Sequence, residues 1–415
     1  MTDPRASVEA VWRIESARIV STLARVVGDL PTAEDLAQEA LAEALASWPE
    51  VGIPANPGAW LTAVAKRRAI DGWRRRERQD DRYAALARNL EEAAEDEWEP
   101  IEDDVLRLVF TACHPVLSRD AQVALTLRVV GGLSSAEIAR AFLVPLATVQ
   151  ARITTAKKTL AAARVPFQTP EPTEWRERLS GVLGVINSVF TEGYAATSGE
   201  RWFRPDVAGE ALRLGRSLAA MLPREPEVHG LVALMELQSA RFGARLAPDG
   251  SPVLLPDQDR SRWDQAAIRR GQQALRRIDN LGRGRGAYAL QAGIAEVHSV
   301  APSFAETDWE RIVVLYDALA RLAPSPVVDL NRAVAISRAH GPAIALALVE
   351  DLIAGGALRT SYLPHSVRGD LLESLGRHAE ARTAFVAAAD LTDNEHQRRV
   401  LLERALAAGA PDPGA

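Results

Sequence analysis

Two short helical patterns separated by only three residues constrain the fold of this chain more than any other feature. Residues 133–160 read LSSAEIARAFLVPLATVQARITTAKKTL, in which Ser134 and Glu137 form a capping box that begins a helix ending near Phe142. The segment LVP allows only a tight turn, and Pro145 or Leu146 begins a second helix. Short connections of this kind predict a helix-turn-helix, whereas an ordinary amphipathic hairpin is the alternative.

The second of these helices has one apolar stripe and an otherwise polar surface. Its apolar residues recur at intervals of four, three and four, at Val149, Ile153, Ala156 and Leu160. This spacing places them on one side of a helix, which we expect to be buried. Polar and basic side chains are left for the exposed side, as DNA recognition requires.

The rest of the chain also favours helices. Its 415 residues are rich in Ala, Leu and Arg and poor in β-branched and aromatic residues. We predict a helix from about Ala33 to Trp48, capped by Thr32, and further helices over about 101–113 and 119–130. The predicted fold class is therefore all-α.

Charge is distributed unevenly along the chain. The net charge is -6, yet the run KRRAIDGWRRRER at 66–78 has seven basic residues, and 91–104 has nine acidic residues among fourteen. Two basic segments thus flank an acidic spacer, which indicates local rather than general affinity for nucleic acid. Prolines and this spacer predict five parts, at 1–80, 81–104 (linker), 105–165, 166–173 (hinge) and 174–410 (helical extension).

The residues give no sign of catalysis. Cys113 is the single cysteine, and neither a nucleophile with its base nor a metal-ligand pattern is present at recognisable spacing. We therefore expect no enzyme activity, no cofactor and no metal. The N-terminus has no signal-peptide pattern and no apolar run is long enough to span a membrane, so the expected location is the cytoplasm, without a membrane partner.

Two motifs in the correct order resemble those of bacterial sigma factors. The stretch 121–160 resembles sigma region 4, through Leu127, Arg128, Glu137, Ile138, Ala139, Thr148, Val149, Arg152, Ala156 and Leu160. The stretches AEDLAQEALAEAL and AWLTAVAKRRAIDGWRRRER resemble region 2 of the extracytoplasmic-function (ECF) group. The remainder is similar to the long helical extension of one ECF subgroup, so the resemblance covers almost the whole chain.

The resemblance implies two binding surfaces. Asp35, Gln38 and Glu39 share a helical face that would bind RNA polymerase core. Promoter DNA would bind region 2 and region 4, the latter with Gln150 and Arg152 at base edges and the others at phosphates. The residues implied in DNA binding are Lys66, Arg67, Arg74, Arg75, Arg76, Thr148, Gln150, Arg152, Lys157 and Lys158.

The extension ends in a pattern that resembles a tetratricopeptide unit. In DLLESLGRHAEARTAFVAAADL, Gly376 stands at an inter-helix turn, and Ala381, Phe385 and Ala388 are small and aromatic packing residues. A weaker copy surrounds Gly341, 35 residues earlier. A generic helical hairpin is the alternative interpretation.

The sequence therefore predicts a sigma factor that binds core polymerase and directs promoter recognition and initiation, with a regulatory helical extension that itself binds a protein or ligand. The alternative is a helix-turn-helix activator with a helical sensor domain that acts on holoenzyme, and the segment DLAQEAL argues against it. A helical scaffold that binds no DNA is a third interpretation. One departure from the family is at the turn, where Leu143 and Pro145 replace the usual glycine and cap.

Overall fold

A computed structural model describes residues 4–76, 102–142, 144–194, 204–247, 253–356, 358–392 and 395–408. These residues form α-helices with three short 3-10 turns and no β-strand, so the predicted all-α class is confirmed. The chain divides into two compact units, residues 1–223 and 224–415.

The first unit contains nine of the described helices. They are α1 (Pro4–Val27), α2 (Leu30–Val51), α3 (Pro57–Arg76), α4 (Glu102–Ala112), α5 (Arg119–Val129), α6 (Ser135–Phe142), α7 (Leu146–Ala162), α8 (Trp175–Tyr194) and α9 (Pro205–Met221). Helices α1 to α3 pack together, and α5, α6 and α7 form the helix-turn-helix with its leading helix. Helix α1 also packs against α4, which joins the two groups.

The predicted ends of these helices are right in one case and wrong in another. At α6 the capping box is present, because the backbone N–H of Glu137 donates to Ser134 Oγ at 3.2 Å and that of Ser134 donates to the Glu137 carboxylate at 2.8 Å. At α2 the expected Thr32 cap is wrong. Asp29 is the N-cap, accepting from the backbone N–H of Thr32 at 3.3 Å, and the helix begins one turn earlier than expected, at Leu30.

Helices α8 and α9 follow the Pro-rich segment and yet belong to the first unit. Trp175 lies with its ring centroid 5.1 Å from that of Phe110 in α4, and Arg178 donates to the Phe110 carbonyl at 3.0 Å. Arg119 of α5 donates to the Gly181 carbonyl at 3.2 Å. The expected hinge at 166–173 is therefore not the point at which the compact units divide. The expected linker, 81–104, ends inside α4, and its residues 81–101 lie outside the described part of the chain.

The second unit is a succession of helices, each packed against the next. They are α10 (Pro226–Ser239), α11 (Gln265–Asn280), α12 (Ala287–Val300), α13 (Trp309–Leu322), α14 (Pro326–His340), α15 (Pro342–Ala354), α16 (Leu363–Ser374), α17 (His378–Asp390) and α18 (Glu395–Ala408). Gly376 joins α16 and α17 with φ +70°, a conformation that glycine adopts without strain. Ala381, Phe385 and Ala388 are fully buried, as packing residues of the proposed hairpin should be.

Within the described ranges, no helix is both long and apolar enough to cross a membrane.

Candidate nucleic-acid interface and the acidic face of helix α2

The recognition helix predicted from the sequence is α7, and its orientation follows from the apolar stripe. Val149, Ile153, Ala156 and Leu160 are all buried. Their burial leaves Gln150 and Lys158 exposed and Thr148 half-buried. The side of α7 expected to bind DNA thus includes polar side chains that water already solvates.

Two of the expected DNA-binding residues are engaged inside the protein. Arg152 forms an ion pair with Asp120 of α5 at 2.5 Å. Lys157 pairs with Glu34 of α2 at 2.7 Å and also with Asp35. Lys157 thereby lies against the helix expected to bind polymerase.

The three residues expected to bind polymerase lie on α2 in different environments. Asp35 is exposed although it contacts Lys157, and Glu39 pairs with Arg68 of α3 at 3.4 Å. Gln38 is half-buried, and its Nε2 is buried with no described residue as a hydrogen-bond acceptor. They therefore share a helical side but not the same access to water.

Helix α3 carries the basic run of region 2 as far as the structure describes it. Arg67 is exposed and Lys66 is half-buried. Arg74, Arg75 and Arg76 lie in the last helical turn, and their side chains are outside the described part of the structure.

Sequence reasoning missed Glu34, which is the most buried carboxylate of α2. Only 3% of the residue is exposed, and its two oxygens contact different cations, Arg128 Nε at 3.1 Å and Lys157 Nζ at 2.7 Å. Burial alone would lower the pKa of Lys157, but Glu34 and Asp35 raise it, so the ammonium stays charged. The sequence does indicate that Glu34 is buried, because Glu34 is four residues after Leu30 and three before Ala37, within the buried stripe of α2.

Further ion pairs join α1 to α4 and to the helix-turn-helix group. Asp104 of α4 is buried and contacts Arg25 of α1 at 2.8 Å and Arg107 at 2.7 Å. Arg13 of α1 pairs with Glu137, the carboxylate of the capping box. Burial raises the pKa of Glu137, but hydrogen bonds from Ser134 and the charge of Arg13 outweigh it, so the net shift is downward. Charged contacts thus join α1 and α2 to the helix-turn-helix group at Glu137 and at Glu34, and join α1 to α4 at Asp104.

The helix-turn-helix is also held from its other side. Arg204, at the start of α9, is 5% exposed and donates to the carbonyl of Ala141 near the end of α6. The same guanidinium pairs with Glu192 of α8. Arg213 of α9 donates to the Gly131 carbonyl in the loop before α6 at 3.3 Å. No motif predicted the contacts with Ala141 and Gly131, because they join residues more than sixty positions apart.

Cys113 has the environment of a packing residue. It is buried, its Sγ lies 3.3 Å from Thr126 Oγ1, and burial raises the pKa of the thiol to about 11. A thiol that stays protonated is a poor nucleophile, which argues against a redox role. In the part of the chain that the structure describes, no group of three His, Cys, Asp or Glu residues is arranged to hold a metal ion.

Comparison with known proteins identifies two sigma-70 regions in the chain. Residues 13–79 match the family sigma-70 region 2, and residues 107–160 match sigma-70 region 4. Residues 178–279 match a family of unknown function, which includes α8, α9, α10 and most of α11. A protein of Rhizobium meliloti (strain 1021), described as uncharacterized, is 45% identical over 389 residues, covering 90% of this chain and 89% of that protein. No solved structure matches the chain.

Both sigma-70 matches fall on the helices that the sequence assigned to the two regions, in the same order. Sigma-70 regions are non-enzymatic domains whose role is promoter recognition through RNA polymerase core and promoter DNA. The chain therefore belongs to the sigma-70 family, with region 2, region 4 and a helical C-terminal extension in the arrangement of an ECF-like sigma factor.

Proposed function

We propose that this protein is a sigma factor in which α2 binds core polymerase and α3 and α7 bind promoter DNA. The observation that supports it best is α7, a helix buried along one stripe with polar residues on its other sides, in the second position of a helix-turn-helix. In this proposal Gln150 and Arg152 contact base edges, because a planar guanidinium and an amide can each make two hydrogen bonds to a base.

The phosphate contacts come from the other basic and hydroxyl residues. Thr148, Lys157 and Lys158 position α7, while Lys66, Arg67, Arg74, Arg75 and Arg76 act from α3. Asp35, Gln38 and Glu39 bind polymerase through charge-assisted hydrogen bonds to basic residues. Arg152 must leave Asp120 to reach a base, which is a modest cost because that carboxylate is mainly exposed.

The C-terminal extension has two parts with different roles in this proposal. Helices α8 and α9 support region 4, as the buried Arg204 and the contacts of Arg178 and Arg213 suggest. The unit from residue 224 onward is the regulatory part, and it responds to a protein or ligand rather than to DNA.

Run-off transcription with purified core polymerase tests these roles. Three proteins are compared on promoters selected from genomic fragments: the full chain, a chain ending at Pro223, and a chain ending at Pro172. We expect initiation by the full chain without another sigma factor, a changed level from the Pro223 form, and loss from the Pro172 form, which lacks α8 and α9. If the chain stimulates only holoenzyme that carries another sigma factor, the proposal is wrong.

A further inference from the structure

A cavity of about 360 Å³ lies inside the first unit, where five helices meet. Helices α1, α4, α5, α8 and α9 each contribute side chains to it. Most of these side chains are apolar, and none of the described residues that line the cavity is a carboxylate. We propose that this cavity binds a small amphipathic anion, with an apolar body of about ten carbons and a single negative group.

The floor of the cavity is apolar. Its buried lining residues are Val109, Thr126, Val130, Ile186, Leu214 and Leu218. The one polar side chain among them, Thr126, already shares a hydrogen bond with Cys113 Sγ at 3.3 Å. Water therefore finds few polar side chains there, whereas a hydrocarbon gains by leaving solvent. At about 30 Å³ for each non-hydrogen atom, the volume holds about a dozen atoms, which is the size of a ten-carbon carboxylate.

The rim of the cavity is exposed and includes a cation without a counterion. Ile14 is 69% exposed and Ser217 is also exposed, so the cavity opens to solvent between α1 and α9. Arg18 is an exposed residue of this rim, and no described carboxylate lies within ion-pair distance of its guanidinium. Its charge is therefore available to a ligand that enters the cavity.

A second arginine at the opening is fixed in position. Glu210 accepts from Arg213 Nε at 3.1 Å and from Nη2 at 2.6 Å, and the Gly131 carbonyl accepts from Nη2 at 3.3 Å. Among the described residues Arg213 Nη1 has no acceptor, so its N–H groups remain for an oxygen of the ligand. Because Glu210 balances the charge of Arg213, the opening has the net charge of Arg18 alone. One negative group thus matches it, and a cationic group would be repelled.

The cavity is complete only where three segments of the chain meet. Arg18 lies in the match to sigma-70 region 2, Val109 in the match to region 4, and Arg213 in the match to the family of unknown function. A bound ligand would contact all three, so we expect it to stabilise the first unit as a whole. This inference goes beyond the proposed function, since binding needs neither polymerase nor DNA.

Isothermal titration calorimetry of the full chain with decanoate tests the proposal. Two further probes separate the contributions: hexanoate has a shorter chain, and decyltrimethylammonium keeps the chain but reverses the charge. We expect decanoate to bind at one site with a Kd of about 100 µM. Both other probes should bind at least about tenfold more weakly. Decanoate should also slow amide hydrogen exchange in α1 and α9, the helices on either side of the opening.

The variant Ala17→Leu tests whether the ligand occupies this cavity. Ala17 is a half-buried lining residue of α1, and the added carbons would fill about a quarter of the volume. We expect decanoate to bind more than about tenfold more weakly. Ala10→Leu is the matched control, because Ala10 is exposed on the same helix and does not line the cavity. It should leave the affinity unchanged.

The variant Arg18→Gln tests the preference for an anion. It removes the charge at the opening and leaves the floor intact, so decanoate should bind about fivefold more weakly. Arg176→Gln removes the same charge from an exposed position of α8 outside the lining, and should have no effect. Because Arg18 is exposed, this variant keeps the proposal testable if Ala17→Leu fails to fold, as judged by circular dichroism.

Three results overturn the proposal. The first is no saturable binding of decanoate up to about 2 mM. The second is equal affinity for decanoate and decyltrimethylammonium, and the third is an affinity for decanoate that neither Ala17→Leu nor Arg18→Gln lowers. Failure of the sigma function is distinguishable from all three, because it would appear in transcription and leave these titrations unchanged.

Discussion

The two compact units join their helices by different chemistry. In the second unit, neighbouring hairpins bury small and aromatic side chains such as Ala381 and Phe385, and its ion pairs, such as Arg404 with Asp370, are partly exposed. In the first unit, α1 and α2 contact later helices through largely buried carboxylates. Glu34 pairs with Arg128 and Asp104 pairs with Arg25, and the partners of each pair are more than seventy residues apart in the chain. Salt does not weaken apolar contacts, whereas ionic contacts can be exchanged for external ions or phosphates. This difference suits a permanent scaffold and a releasable contact, respectively.

The strongest way to probe the apolar side of this comparison is Phe385→Ala in α17. The fully buried ring packs closely against Gly369 of α16, so its removal leaves a cavity and should lower the free energy of unfolding of the second unit by about 3–5 kcal/mol. Val386→Ala, at a neighbour that is 38% exposed, is the control and should change it by less than about 1 kcal/mol. Urea denaturation followed by circular dichroism measures both. Equal effects would show that this hairpin does not depend on its core ring.

A second prediction concerns Arg204, whose buried contacts we expect to persist as long as the first unit is folded. Arg204→Ala removes the donor to the Ala141 carbonyl and leaves Glu192 without this cation, which should cost about 3 kcal/mol in the first unit. Amide hydrogen exchange should increase in α6 and at the start of α9. Exchange confined to α9 would mean that Arg204 does not support the helix-turn-helix.

The sequence predicted the local structure well and the contacts between helices poorly. The capping box, the turn at Pro145 and the stripe from Val149 to Leu160 depend on neighbours within one or two turns, and short-range spacing is enough to locate them. The contacts of Glu34 with Arg128 and Lys157, and of Arg204 with Ala141, join residues 63 to 123 positions apart, and no local pattern specifies such partners. Glu34 was detectable as a charge in an apolar stripe, but its counterions were not.

Salt should affect the ionic contacts of the first unit more than the apolar contacts of the second, with a smaller effect than the substitutions above. Raising the ionic strength weakens the contact of Lys157 with Asp35, which is 67% exposed, more than it affects apolar packing around Phe385. Energy transfer between dyes on Glu50→Cys of α2 and Thr155→Cys of α7, two exposed positions, should fall about twofold between low and high salt. Hydrogen exchange in α16 and α17 should stay constant. Insensitivity of the transfer to salt would show that the exposed contact of Lys157 with Asp35 does not hold region 2 to region 4.

The smallest expected effects on stability come from removing one helix cap in each unit. Ser134→Ala removes the cap of α6, and Asp264→Ala removes that of α11, where the carboxylate accepts from Ala266 and Ala267 at 2.8 and 3.0 Å. Each change should cost about 1 kcal/mol in thermal or urea unfolding. The pKa values of Glu137 and Asp264 are both lowered in the folded chain, so the stability they contribute is present near neutral pH and is lost as acid protonates them. An unfolding free energy that is unchanged in both variants at neutral pH would contradict this prediction.

The position of Arg204 along the chain has a consequence for synthesis. Ala141 leaves the ribosome 63 residues before Arg204, which corresponds to a delay on the order of several seconds at ordinary rates of translation. During that interval region 2 is already complete and α7 follows α6 directly, but the support from α8 and α9 does not yet exist. The nascent helix-turn-helix therefore meets α2 first, and the order of emergence itself favours the pairing of Lys157 with Glu34 before the rest of the protein has been made.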